Sequence, residues 1–143
     1  MAGEVSATFR PLYRTSPLLD LLGPFYSRGE GGDLVLGVRV ADKHANARGF
    51  AHAGLLLALA DVALGYAAEA SQEQPVSLVT ASLTADFVGS ARVGDWVEAR
   101  VDVQRVGKRM AFANAYLHAG EKRIVRASAV FARADKKTST IGS

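Results

Sequence analysis

The pattern of hydrophobic and polar positions changes its period after residue 75, and the two parts of the chain predict different elements. From Phe50 to Ala68 the chain is apolar, and only His52 and Asp61 carry groups whose charge matters near neutral pH. Leucine and alanine favour helix, so we predict a long, mostly buried helix from about His52 to Glu69. Its many alanines and glycines keep this helix thin, which would allow a sheet to curl around it.

After the polar link 71–75, apolar and polar residues alternate with a period of two. This alternation, interrupted by short polar turns, predicts an antiparallel sheet. The predicted strands are Ser77–Phe87, Trp96–Val106, Arg109–Ala119 and Lys122–Ala134. In the first strand we expect one apolar face made of Val79, Ala81, Leu83, Ala85 and Phe87 and one polar face made of Thr80, Ser82, Thr84 and Asp86.

The chain before residue 50 predicts shorter elements. Ser16 can cap a short helix that Gly23-Pro24 ends, and residues 34–40 alternate as a strand with one buried face. Residues 24–32 and 42–51 are expected to be loops. We expect one domain over residues 1–143, with loosely ordered ends at about 1–14 and 135–143.

Composition narrows the possible classes of protein. Hydrophobic residues make up 49% of the chain and charged residues 22%, which is typical of a globular protein. The net charge of +3 is mild and basic residues never run longer than two, which disfavours nucleic-acid binding. The absence of cysteine excludes disulfides and thiolate chemistry. Without a hydrophobic leader in residues 1–14, and with Asp61 inside the apolar run, we expect a cytoplasmic protein that does not span a membrane.

Asp61 is the first candidate for chemistry. No basic residue lies three or four positions away from it on the predicted helix. Because an unpaired buried carboxylate is costly, Asp61 must either be hydrogen-bonded or face a wet cleft. Both environments suit a general base or a nucleophile. The alternative is an aspartate on the one solvated face of the helix.

The residues around this helix start resemble a known signature. Asn46, Gly49, the turn His52-Ala53-Gly54 and Asp61, seven residues beyond Gly54, are similar to the motif of the PaaI-like branch of hotdog-fold acyl-CoA thioesterases. The likeness extends from about Asp33 to Arg133. It implies the α+β hotdog fold, in which a long central helix is wrapped by a curved antiparallel sheet, here with a short N-terminal helix.

The resemblance also implies a reaction and roles for residues. Such enzymes hydrolyse acyl thioesters with water and use neither a metal nor an organic cofactor. The Ala53 N–H would donate to the thioester oxygen, and Asn46 would contact that oxygen or fix the loop. Asp61 would activate water or attack directly, Thr80 would position the water, and His52 would brace the turn. Ala53 replaces a family glycine, so the turn would be strained if it needed a positive φ.

The sequence indicates the substrate-binding residues less specifically than the catalytic ones. We expect Gly54 to lie at the substrate and Lys108 and Arg109 to hold the phosphates of coenzyme A. Other exposed cations in turns, namely Arg92, Arg105 and Arg123, are further candidates. His44 and His118 lack a third partner at ligand spacing, so no metal site is expected. The acyl group stays open between aromatic and medium-chain fatty acyl groups.

The spacing of Ala53 and Asp61 predicts a dimer. Eight residues separate them, which is about 12 Å along a helix and roughly 80° around it. One carbonyl needs its oxyanion donor and its water base close together, which two antiparallel helices can provide. We therefore expect an obligate homodimer with two shared sites, assembled into a homotetramer. The alternative functions are a non-catalytic acyl-CoA-binding module and a hotdog dehydratase or hydratase.

Overall fold

A seven-stranded antiparallel sheet curves around one long helix in the computed structural model, which describes residues 7–134. This arrangement confirms the predicted hotdog fold. The strands and helices in chain order are β1 (Arg10–Pro11), α1 (Pro17–Leu22), β2 (Phe25–Arg28), β3 (Val35–Arg39), α2 (Ala53–Ala70), β4 (Leu78–Phe87), β5 (Trp96–Val106), β6 (Met110–Ala119) and β7 (Lys122–Arg133). The strand order across the sheet is β1-β2-β3-β5-β6-β7-β4.

Helix α2 forms the core with the inner face of the sheet. Its fully or almost fully buried residues are Leu55, Leu56, Leu59, Ala60, Ala63, Leu64, Ala67 and Ala68. The sheet meets them with small side chains, among them Ala111, Ala113 and Ala115 of β6, so the helix can approach closely. By length and composition alone α2 could cross a membrane, but its packing makes it the core helix of the fold.

The four strands after α2 match the predicted bounds within one residue. Strand β4 does not pair with its neighbour in sequence. It pairs with β7 and forms one edge of the sheet, while β5 and β6 lie further inside. The strand that the chain enters on leaving α2 is therefore exposed along its second edge.

A bulge in β4 overturns the predicted division of its faces. Thr80 pairs with Phe131 and Ser82 pairs with Val130, so Ala81 is an extra residue. An extra residue reverses which face the preceding side chains point to. As a result Thr80 lies on the inner face with Leu83, whereas Val79 is 41% exposed.

The N-terminal part is more ordered than predicted. Ser16 accepts the Leu19 N–H at 3.4 Å and caps α1, as expected. However, β1 and β2 fall in segments predicted to be a loose end and a loop. Phe9 packs edge-on against Trp96, with ring centroids 5.1 Å apart, on the outer face of the sheet. This small cluster also covers Val35, so β3 is buried on both faces rather than on one.

Candidate active site

The first turn of α2 presents a free backbone amide. His52 is the N-cap, and its Nδ1 accepts the Gly54 N–H at 3.0 Å. The carbonyl of His52 accepts the N–H groups of Leu55 and Leu56. Among residues 7–134 no group accepts the Ala53 N–H, so this donor is available at the positive end of the helix.

Ala53 fits its position without backbone strain. Over the described residues, only glycines have a positive φ. The condition under which alanine would strain this turn, a positive φ, is therefore not met at Ala53. Gly54 is instead restricted by its neighbour, because an added Cβ would lie 3.3 Å from His52 Nδ1.

Asn46 shapes the loop that faces this turn. Its Oδ1 accepts the backbone N–H groups of Arg48 at 2.9 Å and Phe50 at 3.2 Å. Gly49, with φ of +85°, lets the chain reverse between them. Asn46 thus fixes the loop, one of the two roles expected of it, and it lines with Ala53 and Phe50 an open cleft of about 420 Å³.

Asp61 and Thr80 form the second part of the site. Thr80 Oγ1 donates a hydrogen bond to Asp61 Oδ1 at 2.7 Å. Asp61 is half-buried at the middle of α2, and the bulge at Ala81 is what turns Thr80 toward it. The pair lines a separate cavity of about 140 Å³, together with Gly65 and Phe131. Of the two environments expected for Asp61, the structure shows features of both, because the carboxylate is hydrogen-bonded and also faces a cavity.

An ion pair beside this cavity was not predicted. Arg14 Nη1 lies 2.5 Å from Glu69 Oε1, and the Arg14 guanidinium lies 4.0 Å from the centroid of the Tyr66 ring. Glu69 Oε2 also accepts the Leu78 N–H at 2.9 Å. Burial alone would lower the pKa of Arg14, but the hydrogen bond that Arg14 donates to Glu69, the negative charge of Glu69 and the contact with Tyr66 together outweigh burial, so the pKa is raised. No local pattern in the sequence indicates this ion pair, because Arg14 belongs to the N-terminal segment and Glu69 is far away along the chain.

The two parts of the site are apart within one chain. Ala53 lines the larger cleft and Asp61 the smaller cavity, and neither cavity contains both residues. At the helix start the Gly54 N–H donates its hydrogen bond to Nδ1 of His52, so both of these groups are already occupied. The Gly54 amide is therefore not free to donate to a substrate, and the place of Gly54 at the substrate stays a prediction.

The predicted phosphate ligands lie elsewhere in this chain. Lys108 and Arg109 occupy the turn between β5 and β6, where the Arg109 carbonyl accepts the Arg133 N–H at 2.8 Å. Neither residue lines the cleft of Ala53 or the cavity of Asp61 in the same protomer. The cleft is lined instead by Arg48, which lies in the loop predicted over residues 42–51.

The histidines do not assemble a metal site in the described chain. His44 is buried, its Nδ1 accepts the Ala41 N–H at 2.9 Å, and its Nε2 contacts the Leu22 carbonyl. His118 pairs across strands with Glu98 on the outer face of the sheet. From residue 7 to 134 there is no group of three or more His, Asp or Glu side chains placed to hold a metal.

Comparison with known proteins agrees with this fold. The hotdog architecture and the helix-start turn define a PaaI-like hotdog protein. The model of the thioesterase superfamily matches residues 48–126, more than half of the chain. The chain therefore belongs to the thioesterase superfamily.

Individual relatives are similar over most of their length. The Pseudomonas aeruginosa protein named "Putative esterase PA0474" is 54% identical over 129 residues, which cover 90% of this chain and 96% of that protein. A variant of the phenylacetic acid degradation protein PaaI from Thermus thermophilus has a TM-score of 0.74 and 25% identity, over 82% of this chain and 99% of its own. The Streptococcus mutans protein smu.793, solved bound to acetyl CoA, has a TM-score of 0.75 at 19% identity, over 85% and 94%; this likeness shows the fold alone.

Proposed function

We propose that the protein is an acyl-CoA thioester hydrolase that releases coenzyme A and a carboxylic acid. The observation that carries the proposal is the Asp61 carboxylate, held by Thr80 beside a cavity on the same helix that offers a free Ala53 N–H. Membership of the thioesterase superfamily supports hydrolysis, and the acetyl CoA bound to smu.793 supports the choice of carrier.

In the proposed reaction, water is the nucleophile. Asp61 accepts one proton from the water as its oxygen bonds to the thioester carbon. The carbonyl oxygen becomes an oxyanion, which collapses, breaks the C–S bond and expels the coenzyme A thiolate. The proton held by Asp61 passes to that thiolate.

Direct attack by Asp61 would form a mixed anhydride instead. Rapid quenching followed by mass measurement of the intact protein would detect this anhydride as an added acyl mass. The water route predicts no such species.

The helix start would stabilise the oxyanion. The Ala53 N–H has no competing acceptor among the described residues, and the first turn of α2 has no acidic side chain to offset the helix dipole. Asn46 keeps the neighbouring loop in place and has an amide group that can donate to the same oxygen. His52 holds the turn rather than reacting.

The complete site requires a second copy of the chain. Within one chain Ala53 and Asp61 line different cavities, and two antiparallel copies of α2 would bring them together. The outer edge of β4 is ten residues long, unpaired and bordered by Phe87 and Val88, which are 45% and 66% exposed. An exposed strand edge of this kind presents unpaired backbone N–H and C=O groups, so another element or a second chain is expected to cover it. We propose a two-fold dimer through α2 and β4 with two shared sites, and a tetramer of two dimers.

The alternative functions lose support at particular residues. A purely binding module was suggested by Ala53 in place of glycine, but the turn accommodates alanine with an ordinary backbone. A dehydratase would pair a histidine with the carboxylate, whereas the Nδ1 of His52 is bonded to Gly54 at the far end of the helix segment from Asp61. Neither alternative is favoured by an observation of its own.

A panel of acyl-CoA thioesters tests the function. Aromatic and medium-chain fatty acyl-CoAs are incubated with the protein, and free thiol is measured with a thiol reagent. We expect thiol release that follows saturation kinetics for at least one class. Binding without thiol release would show a binding module, and hydration or dehydration of the acyl chain without thiol release would show the other enzyme class.

A further inference from the structure

Two arginines share one aromatic ring at the mouth of the larger cleft. The guanidinium carbon of Arg48 lies 5.7 Å from the centroid of the Phe50 ring, and that of Arg92 lies 5.0 Å from it. Arg48 belongs to the loop before α2, and Arg92 belongs to the loop between β4 and β5. Two positive charges are thereby held within 6 Å of one ring.

Neither of these guanidinium groups is neutralised within the described chain. The ion pairs of residues 7–134 serve other arginines, namely Arg14, Arg28, Arg100 and Arg126. Asp95, the acidic residue nearest in sequence to Arg92, accepts the backbone N–H of Arg92 at 2.9 Å and makes no ion pair with its side chain. Like charges that share a site favour the binding of an anion.

Backbone hydrogen bonds hold together the two loops that carry these arginines. Phe50 and Arg92 form an antiparallel bridge, and the Ala51 N–H donates to the Ala91 carbonyl at 2.8 Å. The Asn46 side chain holds the N–H groups of Arg48 and Phe50 from the other side. Because the loops are held together and both guanidinium groups rest near the Phe50 ring, the pair loses less freedom on binding than two arginines on unconnected loops would.

The pair adjoins the candidate oxyanion site. Arg48 and Phe50 line the same cleft as Ala53 and Asn46. Guanidinium groups suit phosphate because they donate two parallel hydrogen bonds to its oxygens. A ligand that places a phosphate on this pair could therefore extend along the cleft to the first turn of α2.

We propose that Arg48 and Arg92 bind the phosphates of coenzyme A, so that the nucleotide end of the substrate is held at the mouth of the cleft. This inference rests on the proposed thioesterase function. It replaces Lys108 and Arg109 as the phosphate ligands. It also makes the two arginines the feature that selects acyl-CoA over a thioester without phosphate.

The kinetic experiment compares two carriers of the same acyl group. Arg48→Gln, Arg92→Gln and the double variant are assayed with an acyl-CoA and with the corresponding N-acetylcysteamine thioester, which has no phosphate. We expect KM for acyl-CoA to rise about ten- to a hundredfold per lost charged hydrogen bond, with kcat within about twofold. The kinetic constants for the N-acetylcysteamine thioester should not change. Arg48→Lys, which keeps the charge, should recover part of the loss.

Two controls separate the proposed site from general charge effects. Arg100→Gln removes a guanidinium from the outer face of the sheet and should leave both substrates unaffected. The double variant Lys108→Gln/Arg109→Gln tests the earlier assignment and should also leave KM unaffected. A rise in KM for acyl-CoA confined to that last variant would overturn the proposal.

Direct binding keeps this test independent of catalysis. Titration calorimetry with free coenzyme A should show weaker binding by Arg48→Gln and Arg92→Gln, and dephospho-coenzyme A shows whether the 3′-phosphate or the pyrophosphate is bound. Equal affinity of the variants and the wild-type protein, or no binding by either, would refute the phosphate site. The proposed function fails on a different observation, namely that the wild-type protein hydrolyses no acyl-CoA.

Discussion

Thr80 donates its hydroxyl proton to Asp61 Oδ1 over 2.7 Å. A threonine hydroxyl has one proton, so this contact fixes the hydroxyl as donor and leaves its lone pairs and Asp61 Oδ2 for a water molecule. The bond exists because the extra residue Ala81 turns Thr80 to the inner face of β4. A catalytic water between the two side chains would thus be held by an acceptor on each.

Removing the Thr80 hydroxyl should slow hydrolysis without weakening substrate binding. Thr80→Val keeps the shape and β-branching but loses the hydrogen bond to the carboxylate. A hydrogen bond to a charged group contributes about 1.5–3 kcal/mol, so kcat should fall about ten- to a hundredfold with KM nearly constant. Thr80→Ser keeps the hydroxyl and should retain most of the rate. Equal losses in the two variants would mean that the methyl group, not the hydroxyl, matters.

Asp61→Asn tests the general base more severely. Asparagine can still accept the hydrogen bond from Thr80 but cannot take a proton from water, so kcat should fall at least a hundredfold or so. The dimer should remain intact by size-exclusion chromatography with light scattering. A variant that keeps most of its rate would exclude Asp61 from the chemistry.

The sequence predicted the fold where the hydrophobic pattern is long and regular. The helix α2 and strands β4 to β7 each span ten or more residues, and their bounds were predicted within one residue. Strands β1 and β2 were missed because they are two and four residues long. In β2, Tyr26 also packs on the outer cluster around Trp96, so the strand shows no simple alternation of buried and exposed residues.

The site was predictable where it is local and unpredictable where it depends on tertiary contacts. Asn46, Ala53 and Asp61 lie within sixteen consecutive residues, so their spacing carries the information. The bulge at Ala81 is invisible in the sequence because alanine fits either face of a strand. The pairing of Arg48 with Arg92 depends on a bridge between two loops distant in sequence, which no local pattern encodes.

Gly37→Ala should destabilise the sheet at the outer cluster. A Cβ at Gly37 would lie 2.2 Å from Cζ2 of Trp96, so the indole ring must move. Overpacking of this kind costs about 1–3 kcal/mol, measured by urea unfolding. Trp96 is the single tryptophan in the sequence, so its fluorescence reports the displacement directly.

Gly32→Ala is the matched control for this prediction. Its Cβ would meet Ser71 Cβ at 3.4 Å, which is ordinary contact, and the free energy of unfolding should change by less than about 0.5 kcal/mol. If Gly37→Ala were as stable as Gly32→Ala with unchanged Trp96 emission, the close packing of the ring on β3 would be refuted.

His118 should make stability depend on pH. Burial, followed by repulsion from Arg100 and Arg123, lowers the pKa of His118 below its usual 6.5, with Glu98 acting weakly in the opposite direction. The unfolded chain therefore binds more protons than the folded chain in this window. The contribution of neutral His118 to the free energy of unfolding is complete above pH 6.5. It is lost as the pH falls from 6.5 through the lowered pKa of the folded state.

The pH dependence is isolated by a variant. Urea unfolding of the wild-type protein and His118→Gln is compared from about pH 5 to pH 8, because other groups contribute equally to both proteins. The difference in unfolding free energy between the two proteins should be constant above pH 6.5. Below pH 6.5 the wild-type protein should lose stability relative to His118→Gln. A difference independent of pH would show that the pKa of His118 is the same folded and unfolded.

Mixed dimers should reveal whether the active site is shared. Ala53→Pro removes one backbone N–H, and proline is tolerated at the first position of a helix. The preceding residue, His52, has ψ of 140°, which is compatible with a following proline. Ala53→Pro and Asp61→Asn should each be nearly inactive alone, because each removes one component from both sites of a dimer.

Subunit exchange between these two variants should restore activity only if Ala53 of one protomer works with Asp61 of the other. In a mixed dimer, one site then combines both intact residues and the other combines both substitutions. Random exchange makes half of the dimers mixed, so about a quarter of the wild-type kcat should return. If each site were built within one chain, every site would retain one defect and mixing would restore nothing. The Arg100→Gln variant mixed with Asp61→Asn is the reference for dilution, because half of its sites are intact with or without subunit exchange and about half of the wild-type kcat is expected in either case.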